Sequence, residues 1–314
     1  MLDILNLTLP FFAVVGIGYF AARAGMVETS AVSSINTFVF YFAMPALVAG
    51  TLARQDFSAI LDRDLLAGWL LAGLVLFSIG MIFCSVYQSK IGQPAALGEM
   101  ALTGQAASIA NVGFLALPIA AANFGDEGIR ISASVLIIDL LVLIPLSITL
   151  LETRSGGSRL HAFAYAVGKA IKNPFAIAII LGVALSSTGL GLPEPAERFV
   201  VFLGAAGPPT ALFALGLSLF ERDVESHHTF VGVVTFLKLV VHPIAVFLAL
   251  SAFGLPTEII AIAVVIAACP VAQNVFVIAA QYKLMVKRSS AAILISTLAA
   301  TITVTAILAY INWQ

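Results

Sequence analysis

Charge is what this chain has least of. Asp, Glu, Lys and Arg make up 10% of its 314 residues, against about 25% in a soluble domain. Fifteen basic and sixteen acidic residues leave a net charge of −1, so nothing points to a nucleic-acid partner. Cysteine is scarce as well. Cys84 and Cys269 both sit in apolar runs and supply neither a disulfide framework nor a zinc site. Only Met1-Leu2-Asp3 precedes the first apolar run. Without a basic stretch that run reads as a retained spanning helix, not a signal peptide. P-loop, HExxH and GxSxG patterns are missing, so ATP-driven transport and metalloprotease chemistry have no local support. No cofactor is expected, and the chain does not read as an enzyme.

Apolar residues fill the space: 61% of the chain is hydrophobic, above the roughly 45–50% of soluble domains. This composition belongs to an integral membrane protein in contact with a lipid bilayer. A helix crosses the hydrocarbon core with roughly 20 apolar residues. Ten charge-poor runs approach that length, at 4–22, 33–53, 65–88, 100–124, 129–151, 173–192, 199–220, 229–253, 258–282 and 289–312. They are segments 1 to 10. Their continuous apolar character excludes a transmembrane β-barrel, whose strands alternate.

Basic residues set the orientation. One set of loops holds Arg23, Lys90, Arg154, Arg159, Lys169, Lys172, Arg222, Lys283, Lys287 and Arg288, and the other holds Arg54, Arg63, Arg130 and Arg198. Ten against four places the first set in the cytoplasm and both termini outside. The longest connection, 152–172, is then cytoplasmic and too short for a folded domain. Function must reside in or between the helices.

An internal repeat is visible. A shift of 164 residues superposes Pro10 on Pro174, Gly18 on Gly182, Gly25 on Gly189, Pro45 on Pro209 and Gly68 on Gly232. It divides the chain into a first five-helix repeat (1–151), the connecting loop (152–172) and a second repeat (173–314). Five helices is an odd number, so the halves cross the membrane in opposite directions. That is the inverted-repeat plan of many secondary transporters.

The plan also expects a broken helix at corresponding places in each half. Segment 4 carries Gln105, Ser108, Asn111, Gly113 and Pro118, and segment 9 carries Cys269, Pro270, Gln273 and Asn274. A shift of 163 brings Asn111-Val112 onto Asn274-Val275. Proline removes a backbone donor and glycine permits an unwound turn. The amides of a half-helix N-terminus then suit a carboxylate, and asparagine side chains complete the cage. The competing reading is an ordinary kink at Pro118 and at Pro270, with amides joining helices. The repetition at equivalent positions favours a binding site.

At these residues the chain resembles the auxin efflux carrier family, which includes the plant PIN auxin carriers and bacterial malonate or malate permease-like proteins. The matching stretches are 38–47 around Met44-Pro45, 111–118 from Asn111 to Pro118, Lys172-Asn173-Pro174, 208–216 beginning Pro208-Pro209, 238–243 with Lys238 and His242-Pro243, and 270–279 with Gln273-Asn274, followed by Tyr282. The resemblance implies ten transmembrane helices in two inverted repeats, with helices 4 and 9 broken and crossed, as in sodium/proton antiporters or bile-acid symporters. It implies a scaffold of segments 1, 2, 6 and 7, a mobile core of 3–5 and 8–10, elevator-type movement and homodimerisation through the scaffold. By the same resemblance Asn111 and Asn274 line the substrate site. The long hydrophilic loop of many plant PINs is missing, which favours the compact carriers of the bacterial inner membrane. The Gln-Asn-Val-Phe stretch is most similar to the malonate permease-like branch.

Two charges lie inside helices, where they are costly. Asp139 is mid-run in segment 5, and Lys238 and His242 share a face of segment 8. Asp139 is a candidate for proton or sodium coupling, or a structural carboxyl. Lys238 is a second candidate, unless its stem reaches up to the headgroups. His242 is a relay candidate, or a partner for a carbonyl freed by Pro243. Glu99 and Glu258 read as helix N-terminal carboxylates. His227-His228 reads as a solvated pair, and the 22 Phe residues as lipid-facing or packing groups. Gly16 and Gly18, with Ala13, suggest close packing of segment 1.

The expectation is a secondary transporter of a small organic anion, a mono- or dicarboxylate of the malonate or malate type. An auxin-like aromatic carboxylate carrier stays open, as does a sodium-coupled bile-acid symporter or a cation/proton exchanger. A non-transport membrane sensor is the reading from another class. Both charges lie off segments 4 and 9, so the site itself is expected to be uncharged.

Overall fold

A computed structural model describes residues 2–28, 30–56, 60–152, 159–189, 191–220 and 228–313. It is all-helical, with no β-strand among the described residues and one isolated antiparallel bridge between Ala110 and Val271. Among the described residues six helices are long and apolar enough to cross a membrane: Ala31–Leu52, Arg63–Lys90, Val112–Leu151, Glu194–Phe220, His228–Ala252 and Val286–Ile311. Phe12–Arg23, Pro174–Thr188 and Thr257–Ala267 are apolar but shorter. Large apolar side chains such as Phe202, Ile302 and Ile82 stand exposed on the outside, as a lipid-facing surface requires.

Two helix starts are capped by side chains. Asp62 accepts from the Asp64 and Leu65 amides at 2.9 and 3.0 Å, and Asn173 accepts from the Phe175 amide at 2.9 Å with Pro174 as the first helical residue. Glu99 and Glu258 sit in first turns, as expected. Segments 4 and 5 are nearly continuous, running from Val112 to Leu151. One residue separates them. Gly125 has φ 57° and ψ −139°, a conformation open to glycine at little cost. The chain folds back there, with Gly128 against the Ala120 carbonyl.

Among the described residues four helices widen into a π turn, at Val39–Ala43, Val112–Ala116, Asp139–Leu143 and Leu237–Val241. Each is followed, two residues on, by a proline: Pro45, Pro118, Pro145 and Pro243. A helical proline donates no hydrogen bond and its ring presses on the carbonyl four residues back. Widening the preceding turn relieves that clash. Both intramembrane charges, Asp139 and Lys238, lie on such turns, which recur at functional sites.

The connection at 152–172 is more ordered than a loop: Arg159–Ile171 is helical and packs on the end of segment 5. Residues 153–158, with Arg154, lie outside the described residues, as do Arg222 and His227. Segment 1 packs on segment 7, and segment 2 on segments 6 and 7. Segments 3, 4, 5, 8, 9 and 10 pack among themselves, 3 on 8 at the centre. Segments 1 and 7 meet through Gly18 and Gly216. A Cβ on Gly18 would strike the Phe213 carbonyl, and one on Gly216 the Val15 carbonyl. Gly16 takes no part in this approach, having nothing within 4 Å of its Cβ direction.

Candidate functional site

Segments 4 and 9 are each interrupted. Segment 4 comprises a first half-helix, Leu97–Ser108, and a second that begins at Val112. Segment 9 comprises Thr257–Ala267 and Gln273–Tyr282. The two gaps lie against each other in antiparallel register. The Asn111 amide donates to the Pro270 carbonyl at 2.9 Å, and the Ala272 amide to the Ile109 carbonyl at 3.3 Å. Inside a membrane an unwound backbone must find internal partners, and each gap serves the other. Ser296 of segment 10 accepts from the Val271 amide at 3.1 Å.

The cause of the first break differs from the expected one. Segment 4 unwinds over Ile109–Asn111, a stretch without proline or glycine. Pro118 is buried within the second half-helix, where it follows the π turn instead. Pro270 does lie in the gap of segment 9. Asn111 caps its half-helix, whereas Asn274 is the second residue of its own. The two asparagines are therefore offset slightly relative to their helix starts.

Both second half-helices begin at one cavity of about 390 Å³, within the usual range for small-molecule sites. Asn111, Gly113, Gln273 and Asn274 line it, with Asp139, Asn173 and the rings of Phe40, Phe114 and Phe175. Gln105 donates from Nε2 to Asn274 Oδ1 at 3.4 Å, linking the interrupted helices. Ser108 is absent from the lining; its Oγ donates to the Gly104 carbonyl of its own helix at 2.9 Å.

Asp139 corrects the picture of an uncharged site. Segment 5 brings it to the cavity wall, fully buried. Its Oδ1 accepts from Trp69 Nε1 at 3.0 Å, while Oδ2 has no partner. On segment 8, behind Trp69, lies a second polar group. Lys238 is fully buried, so it does not reach for the headgroups. Its Nζ donates to the Ala267 carbonyl at 2.5 Å and lies 2.8 Å from His242 Nδ1. The Trp69 and His242 ring centroids are 5.5 Å apart. Lys238 and His242 are outside the cavity lining; His242 faces Lys238 and Ala267.

Several neighbours were missed from sequence. Trp69 is one of two tryptophans and lies near the start of segment 3, where an indole reads as an interfacial residue; the burial that obliges its N–H to find an acceptor was not legible in the sequence. The Phe40 and Phe114 rings stack with centroids 6.5 Å apart, and Phe40 meets Phe175 at 5.3 Å. Three of the phenylalanines thus face a cavity and not lipid. Nothing in their spacing separated them from the rest.

The family model described as "Membrane transport protein" matches residues 3–308. The chain belongs to this membrane transport family, the auxin efflux carriers. Among the relatives of this carrier, a "Putative malonate transporter" of Rhizobium meliloti is 30% identical, over 98% of this chain and 96% of the relative. The "Uncharacterized transporter YfdV" of Escherichia coli K12 is 25% identical, over 94% and 93%. "Auxin efflux carrier component 8" of Arabidopsis thaliana is 22% identical, over 90% of each chain. The carrier is a membrane transporter and not an enzyme.

Proposed function

We propose that this carrier moves a small dicarboxylate of the malonate type by alternating access, binding it where segments 4 and 9 cross. The observation that carries this reading is the meeting of two half-helix N-termini with Asn111 and Asn274 at one cavity. Their amides and dipoles favour an anion, and such a site releases its cargo more readily than one built on a fixed arginine. The malonate name of the Rhizobium relative supports the substrate class.

The architecture proposed is ten spanning segments in two inverted repeats. Packing supports it: segment 1 lies on 7 as 6 lies on 2, and segment 3 lies on the first half of 4 as 8 lies on the first half of 9. Segments 1, 2, 6 and 7 form the scaffold and the dimer contact, and the remainder slides against it. With 152–172 in the cytoplasm of a bacterium and both termini outside its inner membrane, the cavity faces inward, since its wall extends to Asn173 and Ile148. Toward the other face, Arg54, just past segment 2, holds Asp126 and Glu197 at 3.5 Å each.

Counterflow of labelled malonate in proteoliposomes tests this. Exchange that saturates and needs internal substrate is expected; its absence for every carboxylate tried would end the carrier reading. The ring cluster of Phe40, Phe114 and Phe175 favours a second reading, an aromatic carboxylate. Stronger competition by indole-3-acetate than by malate would select it.

A further inference from the structure

The cavity contains two buried polar atoms without partners, and they are of opposite sense. Asn111 Nδ2 is a donor and Asp139 Oδ2 is the other. Both residues line the same 390 Å³ space, at 3% and 0% exposure. A buried polar atom left unmatched is costly and calls for an explanation. We propose that the substrate supplies both partners, presenting an anionic end to Asn111 and a hydrogen-bond donor to Asp139. The cargo is then a dicarboxylate that travels with one proton.

This protonation state of the cargo rests on the anion-carrier reading proposed above. Trp69 donates to Oδ1 and so commits that oxygen as an acceptor. Any proton on Asp139 must sit on Oδ2, the free oxygen. Two ionised carboxylates facing each other away from water repel strongly and share a proton instead. One proton therefore lies between Oδ2 and the far carboxyl group of the substrate. It enters with the monoanion from one solution and leaves with it into the other, and no bond in the protein changes. Asp139 is the sole ionisable residue on the cavity wall among the described residues. The other titratable groups near it are Lys238 and His242 of segment 8, grouped around Trp69, with Cys269 beside Lys238. Segment 8 thus balances the carboxylate from behind and leaves the cavity side to the substrate.

Two fixed monoanions separate the contributions. Above about pH 5 malonamate keeps a carboxylate and an N–H donor, whereas monomethyl malonate keeps the carboxylate and has no donor. In competition against labelled malonate, using the full-length protein, malonamate should bind about tenfold more tightly than the ester or better. Malonate itself should weaken as pH rises and its monoanion is depleted, while malonamate should not. In Asp139→Asn the Trp69 contact survives through Oδ1 and an amide donor replaces Oδ2. The preference for malonamate should then be lost, since both analogues offer a carbonyl oxygen to the new amide. Equal competition by the two analogues in the native protein overturns the inference while leaving the carrier reading intact, and needs no variant. A preference for malonamate of the same size in Asp139→Asn overturns it as well. Failure of all three compounds to bind removes the carrier reading and this inference together.

Discussion

The two interrupted helices cross as partners, yet they are held in different ways. Under the 163-residue shift Gly104 corresponds to Ala267. The Gly104 carbonyl accepts a hydroxyl from Ser108, one turn along its own helix. The Ala267 carbonyl accepts the ammonium of Lys238 from segment 8. A helix C-terminus carries partial negative charge, and in carriers of this plan such ends coordinate cations. Here Ala267 ends its half-helix and has a covalently tethered cation, whereas Gly104 lies one turn before the end of Leu97–Ser108 and has a neutral hydroxyl. The crossing of the backbones is shared between the halves; the charge is not. Asp139 sharpens the same contrast, since its position under that shift, residue 302, is an exposed isoleucine.

The strongest test of that asymmetry is Lys238→Met. It takes the ammonium from the Ala267 carbonyl and leaves only His242 Nδ1 beside it, at 3.3 Å, at a cost of about 1–3 kcal/mol to folding, and transport should fall to background. Thermal unfolding in detergent together with counterflow measures both. Because the ammonium already occupies that end, exchanging sodium for choline should leave transport by the native protein unchanged. A sodium requirement would show that the tethered charge does not serve as the cation.

Asn111→Ala and Asn274→Ala probe the shared part of the crossing. A hydrogen bond to a charged group contributes about 1.5–3 kcal/mol, so each should weaken malonate binding roughly 10- to 100-fold. Expression and oligomeric state should remain normal. Normal affinity in both variants would place the site elsewhere.

Gly104→Ala asks whether the halves tolerate the same residue, since position 267 is already alanine. The added Cβ would lie 2.6 Å from the Phe77 carbonyl oxygen, and overpacking of this kind costs about 1–3 kcal/mol. A lowered unfolding temperature is expected. Ser108→Ala is the mildest change. Its hydroxyl is buried and bonds its own helix, so stability should fall by about 0.5–1.5 kcal/mol, with uptake kinetics unaltered.

Much of this was legible before the structure. The interruptions of segments 4 and 9 were marked by polar and helix-breaking residues inside apolar runs, and Asn111 and Asn274 do meet at one cavity. The marker was misread for segment 4. Pro118 widens a π turn, and the gap at Ile109–Asn111 is held open by hydrogen bonds to segment 9. Asp139 was identified as unusual but not assigned to the cavity, because its distance from Asn111 along the chain carries no information about distance in space. Lys238 looked near enough to a helix end to reach water. Packing of segments 3, 9 and 10 around segment 8 closes that route.

The sequence by itself determined that this chain lives in a membrane, because so few charges cannot clothe a soluble surface. It also determined where the helices lie and where two of them break, since apolar length and local backbone chemistry are properties of neighbouring residues. Only the tertiary structure decided what surrounds the breaks. It brought Asp139 to the cavity, set Trp69 against it and seated Lys238 on the Ala267 carbonyl. Those contacts join segments 3, 5, 8 and 9. A buried charge is stabilised by whichever groups the fold brings to it, and that choice is made in three dimensions.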